Sequence, residues 1–367
     1  MRNGISHPAG VTRRTVLAGA TAVLASPFVI RSRDAWAQQF AGKKIKLLTF
    51  SNLSGQLVVE HIAKPFEKMT GAEVVADLSP SAADMVSKVK ASASNQQYDV
   101  VILPGVGGRD LIDNGLAEAL DPGKVPNLSK VLPDLSAPVD GKALTFMLNP
   151  DGLIYNSQTF KTAPDSYEML WDPKYSGRIV LPPPAWIQAM FVTILATRFA
   201  GTDVQHPEPG FEKLAELKDD ILMLGESPPQ VAEAIRANTA DMAGSFPALF
   251  FAGFLFNPSY NLKATVRLKE GYFCQPQYLV MPVGHPGDAD VIHAFMNFAL
   301  EKEPQAAVSA GQFAASVNVD VEVPEDKLAL DFVLPPKNIR ENAITIDEKY
   351  LSSVRADWIK RYSEIFA

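Results

Sequence analysis

The feature that most constrains the fold is an alternation of apolar strand-like runs and helical patterns in the first third of the chain. Lys44 to Phe50, Ala72 to Leu78 and Tyr98 to Leu103 are short apolar runs, as expected for buried strands. Between them, residues from about Gln56 to Met69 and from Ala82 to Ala93 place apolar side chains at helical spacing. Strands that alternate with helices predict a layered α/β domain with right-handed crossovers.

The rest of the chain is long enough for a second domain, since 367 residues exceed the usual size of one. Residues from Ala143 to Tyr155 read as two short strands around the turn-like Asn149-Pro150-Asp151-Gly152. Further helices are predicted near Trp186–Phe199, Gly210–Lys218, Pro229–Asn238, Asp288–Glu301 and Asp347–Ile365. A short helix, a turn and a strand are predicted within Met169–Leu181, and further strands at Ile221–Leu224, Met242–Phe246 and Tyr278–Pro282.

The first 37 residues are predicted to be an export signal. Arg13-Arg14 precedes an uncharged, mostly apolar stretch from Thr15 to Ile30, and Ala35-Trp36-Ala37 is a small-x-small cleavage site. The segment from Thr12 to Leu17 resembles a twin-arginine signal, with an ordinary secretory signal or an uncleaved anchor as the alternatives. We therefore expect a periplasmic protein whose signal is cleaved near Ala37.

Composition excludes several classes of function. The net charge is −7, and removing the five arginines and one aspartate of the signal leaves 29 basic and 40 acidic residues, a net charge of −11. This charge argues against nucleic-acid binding. The single cysteine, Cys274, excludes an intrachain disulfide and a multi-cysteine metal site. The five histidines show no metal-ligand spacing, and no hydrolase motif occurs. We expect no metal, no cofactor and no catalytic site, with an exported enzyme as the alternative class.

Three segments carry a resemblance to a known family. Tyr98-Asp99-Val100-Val101, the block from Leu170 to Gly177, and the helix from Ala294 to Leu300 with Pro304 behind it resemble the extracellular solute-binding proteins of ABC importers. The similarity is to the spermidine/putrescine-binding type and covers most of residues 44–365. It implies a type II periplasmic-binding-protein fold, in which two α/β lobes are joined by two crossover segments.

The resemblance also implies a domain division and partners. Crossovers are expected near Met147–Gly152 and Gln275–Met281, which gives a first lobe of residues 38–147 plus 281–367 and a second lobe of residues 148–280. The solute would bind in the cleft between the lobes, which would close by hinge motion. The implied protein partner is the permease of an ABC importer in the inner membrane, and the protein itself is expected to be a monomer.

Two strand ends are candidates for the walls of such a cleft, because ligands bind beyond the carboxyl ends of strands in open α/β sheets. Hydroxyl and amide groups follow the first strand at Ser51, Asn52 and Ser54, where capping of the next helix is the alternative role. A glycine-rich turn with an arginine follows the third strand, at Gly105, Gly107, Gly108 and Arg109. Its backbone N–H groups could form a nest that binds an anion together with the arginine. The alternative role of the glycines is to allow close packing.

The chain departs from the polyamine-binding type at the positions that the resemblance makes important. That family grips ammonium groups with carboxylates, whereas the corresponding stretches here, Leu181–Gln188 and Tyr272–Tyr278, contain no acid. A buried ammonium without a countercharge costs roughly several kcal/mol. The sequence therefore predicts a small polar or anionic organic solute, such as a carboxylate.

Polyamine binding in a rearranged site is the alternative, with Asp151 as the one acid near a crossover. The remaining candidates for solute contact are neutral polar side chains and two aromatic rings. For the two aromatic rings, the alternative is that they are packed in the hydrophobic core. The candidates are Asn149, Gln188, Ser245, Gln275, Gln277 and Tyr278, together with Trp186 and Phe246.

Overall fold

The computed structural model describes residues 39–367, so the predicted export signal and its cleavage site lie outside the described residues. Eleven strands of the described residues form one sheet with the order β2-β1-β3-β9-β4-β7-β5-β6, and β8, β10 and β11 add to β4, β4 and β9. The strands are β1 Lys44–Phe50, β2 Glu73–Ser79, β3 Val100–Pro104, β4 Ala143–Asn156, β5 Ile179–Leu181, β6 Ile221–Leu224, β7 Met242–Pro247, β8 Leu262–Thr265, β9 Tyr272–Val280, β10 Ala315–Ser316 and β11 Ala343–Ile344.

Helices lie on both faces of this sheet. A π-helical turn, Val59–Ala63, joins the first two. The α-helices are α1 Leu53–Val58, α2 Lys64–Thr70, α3 Ala82–Ala91, α4 Gly105–Asp113, α5 Ile187–Phe199, α6 Glu208–Ala215, α7 Pro228–Arg236, α8 Ala252–Leu255, α9 Ala289–Ala299, α10 Lys302–Gln312, α11 Glu325–Leu328 and α12 Glu348–Ile365.

The first part of the sheet forms as the alternation predicts. β1 pairs in parallel with β2 along its whole length, and with β3 at Leu47 and Leu48. Ile45 and Leu47 are buried in the core on one face of the sheet, and Leu48 in the core on the other. Asn52 then accepts a hydrogen bond from the backbone N–H of Ser54 at 3.0 Å. This cap starts α1 directly after the strand.

β4 differs from the prediction of two short strands around a turn. It is a single strand of 14 residues, all of them buried, with Pro150 and Gly152 inside it. Pro150 lies opposite Cys274 of β9. A Cβ atom on Gly152 would lie 2.0 Å from the carbonyl oxygen of Thr265 in β8. The glycine therefore serves the close approach of another strand and not a turn.

β4 and β9 are the two strands that run through both halves of the sheet. Near its beginning, β4 pairs with the end of β9, as at Leu144 and Leu279. Near its end, β4 pairs with β7, as at Ile154 and Ala243. These two strands therefore connect a first half, which contains β1, β2 and β3, with a second half, which contains β5, β6 and β7.

Aromatic side chains fill the layers between helices and sheet. In the first half, Phe295 of α9 meets Phe66 of α2 edge-on, with ring centroids 5.3 Å apart. In the second half, Phe191 of α5 stacks on Phe273 of β9 at 4.3 Å. Such pairs contribute about 0.5–1.5 kcal/mol each beyond the area that they bury.

The C-terminal segment returns to the second half of the sheet, whereas the predicted boundaries assign residues 281–367 to the first lobe. β11 pairs in parallel with the start of β9, at Tyr272 and Phe273. Trp358 of α12 packs edge-on against Phe211 of α6, and the Tyr362 hydroxyl donates to the carbonyl oxygen of Pro182. The start of α12 also contacts the first half, where the Tyr278 hydroxyl donates to Glu348, so the assignment of residues 281–367 to one lobe stays a prediction.

Candidate functional site

Strand ends from both halves of the sheet converge on the middle of β4 and β9. Asn149 lies opposite Gln275 in the antiparallel register of these two strands. β3 ends opposite Gln277, and β7 ends opposite Asp151. Carboxyl ends of strands are where open α/β sheets bind ligands. We call the region bordered by Asn149, Asp151, Gln275 and Gln277 the cleft.

Asp151 is a fully buried carboxylate in the cleft. The Gln188 side-chain amide donates to its Oδ1 at 3.1 Å, and the Gln275 amide donates to its Oδ2. Burial raises the pKa of Asp151 to about 7, and the two amide donors only partly oppose this effect. The carboxylate of Asp151 therefore joins two residues that were predicted to contact the solute, Gln188 and Gln275.

Ser245 is also buried, and Tyr167 links it to the backbone of Asp151. The Tyr167 hydroxyl donates to the backbone carbonyl oxygen of Asp151 at 3.1 Å and lies 3.4 Å from Ser245 Oγ. Both side chains are completely buried. Tyr167 was not predicted from the sequence, because it lies in a short 3₁₀-helix, Tyr167–Trp171, just before the block from Leu170 to Gly177.

Gln277 pairs with Gln312, a residue that the sequence prediction also missed. The Gln277 Nε2 donates to Gln312 Oε1 at 3.1 Å, and both side chains are buried. Gln277 Oε1 and Gln312 Nε2 have no hydrogen-bond partner among the described residues. Since buried polar atoms are normally paired, this amide pair can offer one acceptor and one donor to a bound solute.

Two further buried oxygens lack partners within residues 39–367. They are Asn149 Oδ1 in the middle of β4 and Thr49 Oγ1 near the end of β1. Thr49 follows Ile45 and Leu47 at alternate positions, so it faces the same side of the sheet as they do. An orphaned buried acceptor costs about 1–3 kcal/mol. A solute or water that donates to these atoms would recover that free energy.

The candidates after β1 lie at the surface of the first half. Ser51 and Asn52 are exposed, and Ser54 is buried. The Asn52 side chain caps α1, which is the alternative role considered for it from the sequence. Their exposed positions at the end of a central strand remain compatible with solute contact.

The predicted glycine nest is instead the first turn of a helix. α4 begins at Gly105, directly after β3. A Cβ atom on Gly107 would lie 2.8 Å from Leu103 Cδ1, and one on Gly108 would lie 2.6 Å from Tyr278 Cδ2. These glycines therefore let α4 pack closely on β3 and β9, which is their alternative role.

Arg109 is engaged within the chain. Its guanidinium donates to Asp113 Oδ1 at 2.5 Å and to Asp140 Oδ2 at 2.6 Å, and the side chain is buried. Asp113 ends α4, and Asp140 lies in the turn before β4. The structure therefore gives no support to Arg109 as a cation for the solute.

Tyr278 lies on the opposite side of β9 from Gln277. Its hydroxyl donates to Glu348 Oε2 of α12 at 2.5 Å. A small cavity of about 30 Å³ lies nearby, lined by residues that include Gly105, Ile187 and Gln275. A space of this size holds at most one or two water molecules, so it is not a solute pocket.

Aromatic rings pack together beside the end of β7 and the start of α5. The half-buried Trp186 meets Phe246 at 6.1 Å and Phe250 at 5.4 Å, in both cases with perpendicular rings. Phe246 is buried, so its role is in the core, while Trp186 and Phe250 keep part of their surfaces open. Phe250 was not predicted, because nothing in its sequence neighbourhood separates it from core phenylalanines.

No helix within residues 39–367 is both long and apolar enough to cross a membrane. No group of three or more histidine, cysteine, aspartate or glutamate side chains in this range is arranged to hold a metal ion.

Comparison with known proteins shows the family. The profile of the bacterial extracellular solute-binding proteins matches residues 61–329. The chain therefore belongs to this family. It is also 22% identical over 329 residues to the spermidine/putrescine-binding periplasmic protein 1 of Haemophilus influenzae, a match that covers 82% of this chain and 87% of that relative. The protein is a substrate-binding protein of an ABC transporter.

Solved structures of similar proteins confirm the predicted fold class. An ABC transporter protein from Clostridium perfringens superimposes with a TM-score of 0.76 at 22% identity, covering 88% of this chain and 100% of that one. The spermidine/putrescine substrate-binding protein of Streptococcus pneumoniae gives a TM-score of 0.70 at 18% identity, covering 89% and 100%. The chain has the α/β fold of the periplasmic solute-binding proteins.

Proposed function

We propose that the protein captures a small polar or anionic organic solute, such as a carboxylate, in the cleft between its lobes and delivers it to the permease of an ABC importer. One observation carries this proposal. The buried polar atoms without partners at the cleft are amide and hydroxyl groups, namely those of Thr49, Asn149, Gln277 and Gln312. Neutral groups of this kind bind solutes through hydrogen bonds and do not neutralise a dication.

The carboxylate at the cleft does not favour the polyamine alternative. Both oxygens of Asp151 already accept a hydrogen bond from an amide, and the side chain is fully buried. An ammonium group would have to displace Gln188 or Gln275 to reach it. Because the chain is related to a spermidine/putrescine-binding protein, polyamines are the solutes with which the proposed class must be compared.

The proposal includes hinge motion at the middle of β4 and β9. Residues 147–152 and 275–281 connect the lobes there, and closure would bring Trp186 toward the end of β1. We place residues 39–147 and 281–335 in the first lobe and residues 148–280 in the second. β11 and the later part of α12 pack on the second lobe, whereas the start of α12 contacts the first lobe through Glu348 and Tyr278. We assign residues 336–367 to the second lobe as well.

The remaining parts of the proposal concern the setting in which the protein works. We propose a non-enzymatic, monomeric protein in the periplasm, released by cleavage near Ala37 of a twin-arginine or general secretory signal. The family consists of extracellular solute-binding proteins, which supports export.

A thermal-shift screen tests the class of solute. A ligand at 100 times its dissociation constant adds about 2.7 kcal/mol to the free energy of unfolding. We expect a clear rise of the melting temperature with some small organic acid or neutral metabolite, and none with putrescine or spermidine at the same concentration. A large shift with putrescine would overturn the proposed class and restore the polyamine alternative.

The amide pair gives a second test. Gln277→Ala and Gln312→Ala are each expected to weaken binding of the best solute from that screen roughly tenfold to hundredfold, because each removes an unpartnered polar atom of the cleft. Calorimetric titration measures the affinity, and thermal unfolding measures the stability, which should change little.

Gln305→Ala is the matched control on the same helix as Gln312. The Gln305 amide donates to the carbonyl oxygens of Phe146 and Ala299 at 2.9 Å, so this glutamine holds the fold together. Its replacement should lower stability. If the Gln277 and Gln312 variants behaved like Gln305→Ala, losing stability with unchanged affinity, their role would be structural.

A further inference from the structure

Asp151 has an unusual set of partners for a buried acid. Its two oxygens accept one hydrogen bond each, from Gln188 in the first turn of α5 and from Gln275 in β9. No described lysine, arginine or histidine forms an ion pair with it. Buried carboxylates are normally paired with a cation, so stability alone does not explain this arrangement.

The titratable groups that face Asp151 are both neutral near pH 7. The Tyr167 hydroxyl donates to its backbone carbonyl oxygen, and Cys274 lies in the paired strand β9. Burial raises the pKa of the Tyr167 hydroxyl and of the Cys274 thiol. From β7, Pro247 lies opposite Asp151 and Ser245 contacts the Tyr167 hydroxyl, and neither carries a charge. Asp151 is therefore the group that ionises in this cluster.

A carboxylate fixes the orientation of an amide that binds to it. An ionised acid only accepts hydrogen bonds, so Gln188 and Gln275 must each turn their NH₂ group toward it. Their carbonyl oxygens then point away, and neither has a partner among the described residues. The pair of Gln277 and Gln312 differs, because two amides can exchange the roles of donor and acceptor.

We propose that Asp151 is a positioning residue, whose charge turns the Gln188 and Gln275 amides so that both present acceptor oxygens to the solute. This inference rests on the proposed function and narrows it. The solute carries a hydrogen-bond donor, a hydroxyl or amino group, that reaches these oxygens. Together with the free amide donor of the Gln277–Gln312 pair, the cleft matches a hydroxy- or amino-substituted organic acid.

Protonation of Asp151 would undo this arrangement. The acid proton would have to be donated to the carbonyl oxygen of one glutamine, which requires that amide to rotate and present its NH₂ group instead. Burial raises the pKa of Asp151 to about 7, so the rotation of the amide can be followed by changing the pH around 7. Asp151→Asn imitates the protonated form, since the asparagine amide also supplies a donor.

Glutamine side-chain resonances test the inference without any solute. In protein labelled with ¹⁵N-glutamine, the NH₂ signals of Gln188 and Gln275 are identified from their loss in single alanine variants and followed from pH 5 to pH 9. We expect both signals to titrate with one common midpoint near 7 in the wild-type protein and to be independent of pH in Asp151→Asn. Variants that replace each described histidine with asparagine serve as controls and should leave the titration intact.

The opposite results would overturn the inference. Signals that stay constant in the wild type, that titrate with separate midpoints, or that still titrate in Asp151→Asn would mean that Asp151 does not orient the two amides. These outcomes do not depend on knowing the solute, so they are distinct from a failure of the proposed function.

Matched probes test the class of solute at pH 8 by calorimetric titration. The pairs are lactate with propionate and 4-aminobutyrate with butyrate, which differ in one donor group. We expect a donor-bearing acid to bind at least about tenfold tighter than its parent, and Asp151→Asn to remove that preference. Equal affinity within a pair would overturn this part of the inference. If no probe of either pair bound, the proposed carboxylate class would fail, while the amide titration would still decide the role of Asp151.

Discussion

Replacing Asp151 with asparagine is expected to change how stability depends on pH. Burial raises the pKa of this acid from its ordinary value of 3.8 to about 7, so the folded protein binds the proton more tightly than the unfolded chain does. The stabilisation is therefore fully present below about pH 4 and is lost as the pH rises through 7. Between pH 5 and pH 8 the loss amounts to about 3 kcal/mol.

Urea unfolding gives the free energy of unfolding of the wild type and of Asp151→Asn at pH 5 and at pH 8. The effect is the change, between the two pH values, in the stability difference between the two proteins. The variant should gain about 3 kcal/mol on the wild type when the pH is raised from 5 to 8. Because other groups titrate equally in both proteins, their contributions cancel. An unchanged difference in stability across this range would show that Asp151 ionises as an ordinary exposed acid.

Asp241→Asn is the control, because Asp241 is also buried but has a cation partner. Burial acts to raise its pKa, but hydrogen bonds from Arg178 and Thr159 outweigh this effect, so the pKa of Asp241 is lowered. Its contribution to stability is present above its unfolded pKa and is lost as the pH falls through the folded value. Asp241→Asn should therefore show no gain between pH 5 and pH 8 and should destabilise the protein at both.

Trp358→Ala is expected to cost about 3–5 kcal/mol of stability, the usual range for deleting a large buried aromatic side chain. Trp358 is 2% exposed and packs edge-on against Phe211 at 5.6 Å, within the core that α12 shares with α5 and α6. Denaturant unfolding measures the loss. The neighbouring Lys360→Ala, at an exposed position of the same helix, should change the stability by less than about 0.5 kcal/mol.

The size of the Trp358 effect also tests the place of the C-terminal segment in the fold. If α12 lay loosely on the protein, Trp358→Ala would cost no more than Lys360→Ala. A large loss, together with an unchanged affinity for the solute, would show that the segment belongs to the core of the second lobe and not to the binding site.

The elements predicted best from the sequence are those whose pattern is complete within one short segment. β1, β2 and β3 and the helices between them follow from local apolar spacing, and each was placed within about three residues of its observed bounds. β4 was divided because Pro150 and Gly152 normally end strands. Only the close approach of Thr265, which lies far away in the sequence, explains the glycine. α10 was missed because its first turn contains Pro304 and its pattern is weakly apolar.

The candidate site shows the same division between local and distant information. Gln275 and Gln277 could be selected because they alternate on one strand near a predicted crossover. Their partners could not be predicted, since Asp151 lies 124 positions and Gln312 lies 35 positions away in the chain. Arg109 illustrates the converse case: an arginine beside glycines resembles an anion site until folding brings Asp140 to it.

With residues 336–367 assigned to the second lobe as proposed above, the two ends of the described chain lie on different lobes. The backbone N–H of Phe40 donates to the carbonyl oxygen of Thr70 in the first lobe, whereas Tyr362, near the other end, is anchored in the second. The native cysteine is buried, so cysteines introduced at Ala41 and Ala367 could be labelled selectively. A pair of dyes at these ends would read the separation of the lobes directly, without any change to a residue of the cleft. The fold thus supplies the attachment points of a fluorescent sensor for whichever solute it binds.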